Sequence, residues 1–255
     1  MTSKNSSQVN QVTDTEIADS HWNSLYKIGG AAALIVVLVA LIEIIVTFFP
    51  GGGRTEPGSV TVIDWFTLFQ DNWFMGLRNL GLLNIVMVVL GIPVFFALFG
   101  AHRRVNMTYA ALAMLISLIG VAVFLATNRA FSMFALSSQY TAATSDAQRA
   151  MLAAAGQTVL SVGQSHTPGT FLGFFLSEVA GIIISVVMLR GKVFNKAAAY
   201  VGILAFGLLL IFEVCSSFVP ALFNVAIVFA GGGGLLSIAW YILIARRLFQ
   251  LGHPR

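Results

Sequence analysis

Six stretches of the chain are apolar for about 20 residues or more, the length a helix rising 1.5 Å per residue needs to cross a bilayer. They cover residues 29–49, 77–100, 107–128, 170–189, 197–218 and 222–245, with polar segments between them. The pattern predicts an all-α fold, a polytopic transmembrane helical bundle of six spans. Residues 1–28 then form an N-terminal tail, 29–245 the six-span membrane domain and 246–255 a C-terminal tail. Three spans in each half permit an inverted repeat, although the halves show no convincing self-similarity.

Two of the connecting segments are long enough to carry helices of their own. In 60–74, Thr61 followed by Asp64 marks a helix start, and Trp65, Phe66 and Phe69 fit an amphipathic helix anchored in the outer leaflet. In 129–169, Ser145 and Gln148 form a capping box ahead of an alanine-rich stretch that runs to about Val162. No Gly or Pro stops the third span at its outer end, so it is expected to continue through 131–136. Pro93 predicts a kink in the second span, and Gly231–Gly234 predict a kink, a break or very close packing in the sixth.

Composition supports the membrane assignment. Hydrophobic residues make up 58% of the chain and charged residues 9%, against about 25% charged in a soluble domain. A water-soluble exterior cannot be built from this supply. The first span is too long for the apolar core of a secretory signal and lacks a small-residue cleavage pattern. The net charge of +4 reads as loop charge rather than a nucleic-acid surface. Ten of the fourteen Lys and Arg residues fall in the tails and alternate loops; Arg54, Arg78, Arg129 and Arg149 fall on the other side. This asymmetry predicts cytoplasmic N- and C-termini in a multi-pass cell-membrane protein. Trp22, Tyr26, Tyr109, Tyr200, Trp240 and Tyr241 mark the inner interface by the same topology, and Trp65, Trp73 and Tyr140 the outer one.

The candidate chemistry lies in the few charges inside the spans. Glu43, Glu178 and Glu213 fall about 6, 8 and 5 residues from the outer ends of their helices, roughly 8–12 Å deep. Asn84 falls at a similar depth, and Arg78 and Arg129 stand at the outer ends of the second and third spans. A carboxylate facing lipid costs roughly 2.5–3.5 kcal/mol on insertion scales, so these residues should face the bundle interior. Small-residue stripes agree: Gly81, Asn84, Val88 and Gly91 share one face of the second span, and Gly173, Ser177, Gly181 and Ser185 one face of the fourth. One reading is an outward-facing polar cavity for a proton, a cation or a small polar ligand. A second is a binding or regulatory protein whose glutamates only hold helices together, and a third is a lipid-acting enzyme. His166, in the outer loop, is placed to cap such a cavity, whereas His102 reads as a solvated residue at an inner span end.

Intramembrane serine hydrolases, histidine-ligated hydrolases and Glu-Glu/His prenyl-protein endopeptidases each require a constellation this sequence lacks. The reading therefore leans away from an enzyme. No metal-ligand spacing, cofactor motif or nucleic-acid motif is present, and lone Cys215 reads as an apolar filler. The expected partner is the lipid bilayer; a small ligand or protein partner is left open.

Several strings recur together: Trp65-Phe66-Thr67-Leu68-Phe69-Gln70, Phe131-Ser132-Met133, Gln139-Tyr140-Thr141-Ala142-Ala143-Thr144, Asp146-Ala147-Gln148-Arg149-Ala150, Ser185-Val186-Val187-Met188-Leu189-Arg190, and Trp240 through Arg247. In order and spacing the chain resembles a family of small prokaryotic membrane proteins classed as a domain of unknown function, over roughly 22–252. The resemblance implies a multi-span fold in a bacterial or archaeal cell membrane. It supplies no activity and no catalytic residues.

Overall fold

The computed structural model describes residues 3–48, 60–162 and 166–253. Arg54 and Arg255, which enter the charge asymmetry, lie outside them. The described residues form helices α1 (Ser3–Phe48), α2 (Val62–Asp71), α3 (Trp73–Asn79), α4 (Leu82–His102), α5 (Met107–Thr127), α6 (Ala130–Ala142), α7 (Asp146–Ser161), α8 (Phe171–Gly191), α9 (Lys196–Phe218) and α10 (Phe223–Gly252). Six segments are long and apolar enough to span a membrane: Trp22–Val46, Leu82–His102, Met107–Ala142, Phe171–Gly191, Lys196–Phe218 and Phe223–Gly252. The outward surface fits lipid contact, with Val228 71% and Leu235 65% exposed. The chain is an integral membrane protein with an all-α fold.

The six spanning helices form a closed ring in sequence order. Each of α1, α4, α5, α8, α9 and α10 packs on the next, and α10 returns to α1. At the end carrying the 103–106 and 192–195 loops the ring is filled by a dry core, including Val94, Leu98, Ile184, Met188, Trp240, Ile244 and Leu248. Small residues make this closeness possible. A Cβ on Gly202 of α9 would overlap Ser185 Oγ and Trp240 Nε1, and one on Gly173 would stand 3.0 Å from the Phe124 backbone. The stripe on α8 thus meets α5 at one end and α9 at the other. Gly231–Gly234 do not break α10, which is continuous. Close packing is seen at Gly233, whose Cβ position lies 2.8 Å from Leu209.

Two residues read from sequence as interfacial belong to the interior. Trp240 is fully buried in the core, with its ring edge-on to Phe206 at 4.9 Å. His102 is also fully buried rather than solvated; its Nδ1 lies 2.9 Å from the Leu98 carbonyl and its ring stacks on Phe194. Trp22 does lie at the end of the bundle, where the Arg103 guanidinium sits 3.8 Å over its ring.

At the opposite end, α2, α3, α6 and α7 form a cap with its own core of Val62, Trp65, Phe66, Phe69, Leu77, Leu80, Ala130 and Met133. This corrects the expected leaflet anchor. Trp65, Phe66 and Phe69 are 1%, 1% and 4% exposed and face protein, not lipid. Phe66 packs on Tyr140 and Phe69 on Phe134, and Ser137 Oγ donates to the Phe66 carbonyl at 3.0 Å. The start of α2 is as expected, with Thr61 and Asp64 forming a reciprocal capping box. The start of α7 also holds, capped by Ser145.

Two span ends differ from the hydropathy pattern. The second span begins at Leu82 rather than 77, because Gly81 adopts a left-handed φ of 95° that separates α3 from α4. The third span does not run on unbroken. Asn128 ends α5 in an extended conformation, donates to the Leu80 carbonyl at 3.0 Å and accepts from the Ala130 amide at 3.0 Å. An Asn side chain that bonds nearby backbone stops a helix without Gly or Pro.

Candidate functional site

Between the dry core and the cap, all six spanning helices line a cavity of about 310 Å³. Phe95 and Phe206 belong to both the core and the cavity wall, so they mark its floor. Its polar lining comprises Glu43, Asn84, Ser117, His166, Ser177, Glu178, Glu213, Ser237 and Tyr241. The rest of the wall is apolar, including Val36, Val121, Phe174, Leu209 and Phe212. Glu43, Glu178, Glu213, Asn84 and His166 thus share one site. Asn84 reaches it from the first turn of α4, not from the middle of a longer helix.

The three carboxylates differ in their partners. Glu43, near the end of α1, is held by Arg78 from α3. Arg78 Nε donates to Glu43 Oε2 at 3.1 Å and its Nη2 lies 3.0 Å from Oε1, a forked pairing that also bonds the Glu43 carbonyl. The Arg78 side chain is 1% exposed and that of Glu43 18%. Arg78 is therefore a buried cation behind the cavity wall, not a free residue at a span end.

Glu213, on α9, is 1% exposed. His166 Nδ1 lies 2.6 Å from its Oε2, and Ser217 Oγ donates to its Oε1 at 3.4 Å from one turn on. The imidazole stacks on Phe174 at 4.3 Å and packs on Phe212 at 4.8 Å. Its backbone has a left-handed φ of 62°, just before the tight turn in which the Phe171 amide donates to the Thr167 carbonyl. The turn before α8 so folds the imidazole inward over the cavity.

Glu178, on α8, makes no hydrogen bond or ion pair among the described residues, and its Oε2 is shielded from solvent. An acceptor in that position costs free energy until a donor reaches it. Arg129 does not supply one. It stands at the α5–α6 break, outside the cavity lining, with Nη1 3.5 Å from the Ala126 carbonyl. Among the described residues no group of three or more His, Cys, Asp or Glu could hold a metal ion.

Sequence reasoning missed Tyr241, read as interfacial but part of the cavity wall, and the aromatic set Phe174, Phe206 and Phe212. The signal for Tyr241 was available, since it lies on α10 one turn from Ser237. Comparison of the chain with protein-family models, with curated proteins and with solved structures found no match.

Proposed function

We propose that this membrane protein binds a proton or a small cationic solute in its central cavity and transfers it between the cavity and one face of the bilayer. The observation that carries this reading is the contrast among the carboxylates. Arg78 satisfies Glu43 and His166 satisfies Glu213, whereas Glu178 stands on the same cavity without a partner. A carboxylate kept unpaired inside a bilayer is expensive and characteristic of ion and proton pathways. The ten-to-four distribution of basic residues supports an arrangement in which the termini are cytoplasmic and the cavity faces outward. The resemblance in sequence supports a prokaryotic cell membrane as the location.

The test is flux in liposomes. Purified protein carries protons or monovalent cations down an imposed gradient, and Glu178→Gln abolishes that flux while unfolding at the wild-type temperature. A wild type without flux, paired with a Glu178→Gln variant of lowered melting temperature, would instead favour a structural role. That second reading draws its support from Glu43 and Glu213, whose pairings tie α1 to α3 and α9 to the turn before α8.

A further inference from the structure

We propose that the occupant of this cavity is an organic primary ammonium with an apolar body, its charge matched by Glu178 and its body lodged against Phe174, Phe206 and Phe212. The proposal rests on the cation-binding reading and narrows it from any cation to one chemical class. The sign of charge comes first. Three glutamates line the cavity and no Lys or Arg does; the nearest cation to Glu43, Arg78, is committed behind the wall. An anionic ligand would meet three acidic side chains and no Lys or Arg on the lining.

Size and wall chemistry exclude a bare inorganic ion as a sufficient occupant. A hard metal ion takes six or more oxygens, usually with several carboxylates among them, and among the described residues no group of three or more His, Cys, Asp or Glu could hold a metal ion. The 310 Å³ of space is about ten times the volume a water molecule takes in the liquid, and it matches the lower end of small-molecule pockets. Most of the surrounding surface is aliphatic or aromatic, which disfavours a hydrated ion but favours an apolar body. The aromatic faces also attract a positive head group.

Two of the lining hydroxyls, those of Ser177 and Ser237, select N–H donors. Ser177 Oγ donates to the Gly173 carbonyl at 3.0 Å, and Ser237 Oγ donates to the Gly234 carbonyl at 2.8 Å. Both serine protons are spent on their own helices, so each oxygen presents only lone pairs. Glu178 adds a carboxylate and Asn84 an amide oxygen on the same lining. A primary ammonium brings three donors and no acceptor, the complement of this set. A quaternary ammonium brings none and would leave the acceptors unmet.

The experiment is titration calorimetry on the full chain in nanodiscs with 2-phenylethylammonium as the probe. Saturable binding is expected, at least about tenfold tighter than for 2-phenylethanol, which has the same body without the charge. Glu178→Gln should reduce the amine affinity by a similar factor and leave the alcohol unchanged. Equal affinity for amine and alcohol in the wild type overturns the proposal, and that comparison needs no variant to fold. Proton or sodium flux without amine binding also overturns it while leaving the cation reading in place. Absence of both removes the two together.

Discussion

His166 Nδ1 and Glu213 Oε2 stand 2.6 Å apart although the residues are separated by 47 positions in the chain. The contact fastens the turn before α8 to the C-terminal half of α9, where both side chains line the cavity. A hydrogen bond to a charged group contributes about 1.5–3 kcal/mol. His166→Phe keeps an aromatic ring against Phe174 and Phe212 but removes the hydrogen-bonding nitrogen. The variant should unfold at lower temperature by an amount matching that range. In a double-mutant cycle with Glu213→Gln, the two losses should be strongly non-additive; simple additivity would dissolve the pair.

Arg78 makes the second prediction. Removing one partner of a buried ion pair leaves the other charge uncompensated, at a cost of roughly 3–5 kcal/mol. Arg78→Met should therefore lower stability far more than Arg149→Met. The latter disrupts a 3.8 Å surface pair with Asp146, whose side chains are 49% and 104% exposed, and a hydrogen bond to the Ala143 carbonyl at 3.2 Å, both screened by solvent far more than the Arg78 pair. Replacing Glu43 as well should recover most of the loss. Thermal unfolding in detergent measures all three, and equal effects of the two arginine variants would contradict the buried clamp.

These two pairs also mark what could be read from sequence and what could not. Spans were legible because the bilayer imposes a long apolar run on every crossing. That Glu43, Glu178 and Glu213 come together on one cavity was legible because rise per residue places them at similar distances from their helix ends. Which carboxylate has a partner was not legible. Arg78 looked like a residue at the end of a span because Gly81 gave no hydropathy signal, yet its left-handed φ ends one helix and starts another. Trp65, Phe66 and Phe69 illustrate the same loss of information. An amphipathic face looks identical whether its apolar side meets lipid or a neighbouring helix, and here α6 and α7 supply that neighbour.

Trp65 provides the third prediction. Its side chain is buried in the cap, and its Nε1 has no hydrogen-bond partner there. Trp65→Ala should cost about 3–5 kcal/mol through the cavity it leaves. Trp65→Phe should cost far less, because it keeps most of the apolar volume and deletes an unsatisfied donor. Urea titration of the cap, followed by proteolysis of the 143–145 connector, separates the two. An alanine variant as resistant as wild type would return Trp65 to a role in the lipid surface.

Asp64 gives a pH dependence. The Thr61 hydroxyl, 2.7 Å from Oδ2, and then the Thr61 amide at 2.8 Å, hold its carboxyl below the ordinary carboxylate value. Since the folded-state value is depressed, the contribution of this cap is complete above the unfolded carboxyl's pKa. It is lost as pH falls through the lower, folded one. The carboxyl carbon resonance of Asp64 should accordingly titrate at a lower pH than in Thr61→Val. Coincident midpoints in the two proteins would refute the cap as the cause.

The closure of the ring by α10 against α1 makes the last span the one that completes the cavity wall. The walls of the cavity are laid down one after another as the chain emerges, and each new helix packs on the one before it. Only the last leaves the growing arc with no open side. Without α10, the wall that carries Glu178 and Glu213 lacks the side supplied by Ala230, Gly234, Ser237, Ile238 and Tyr241. Chains truncated before 223 should thus retain pairwise packed helices while lacking an enclosed chamber, so that closure of the chamber, not membrane insertion, is what the final span confers.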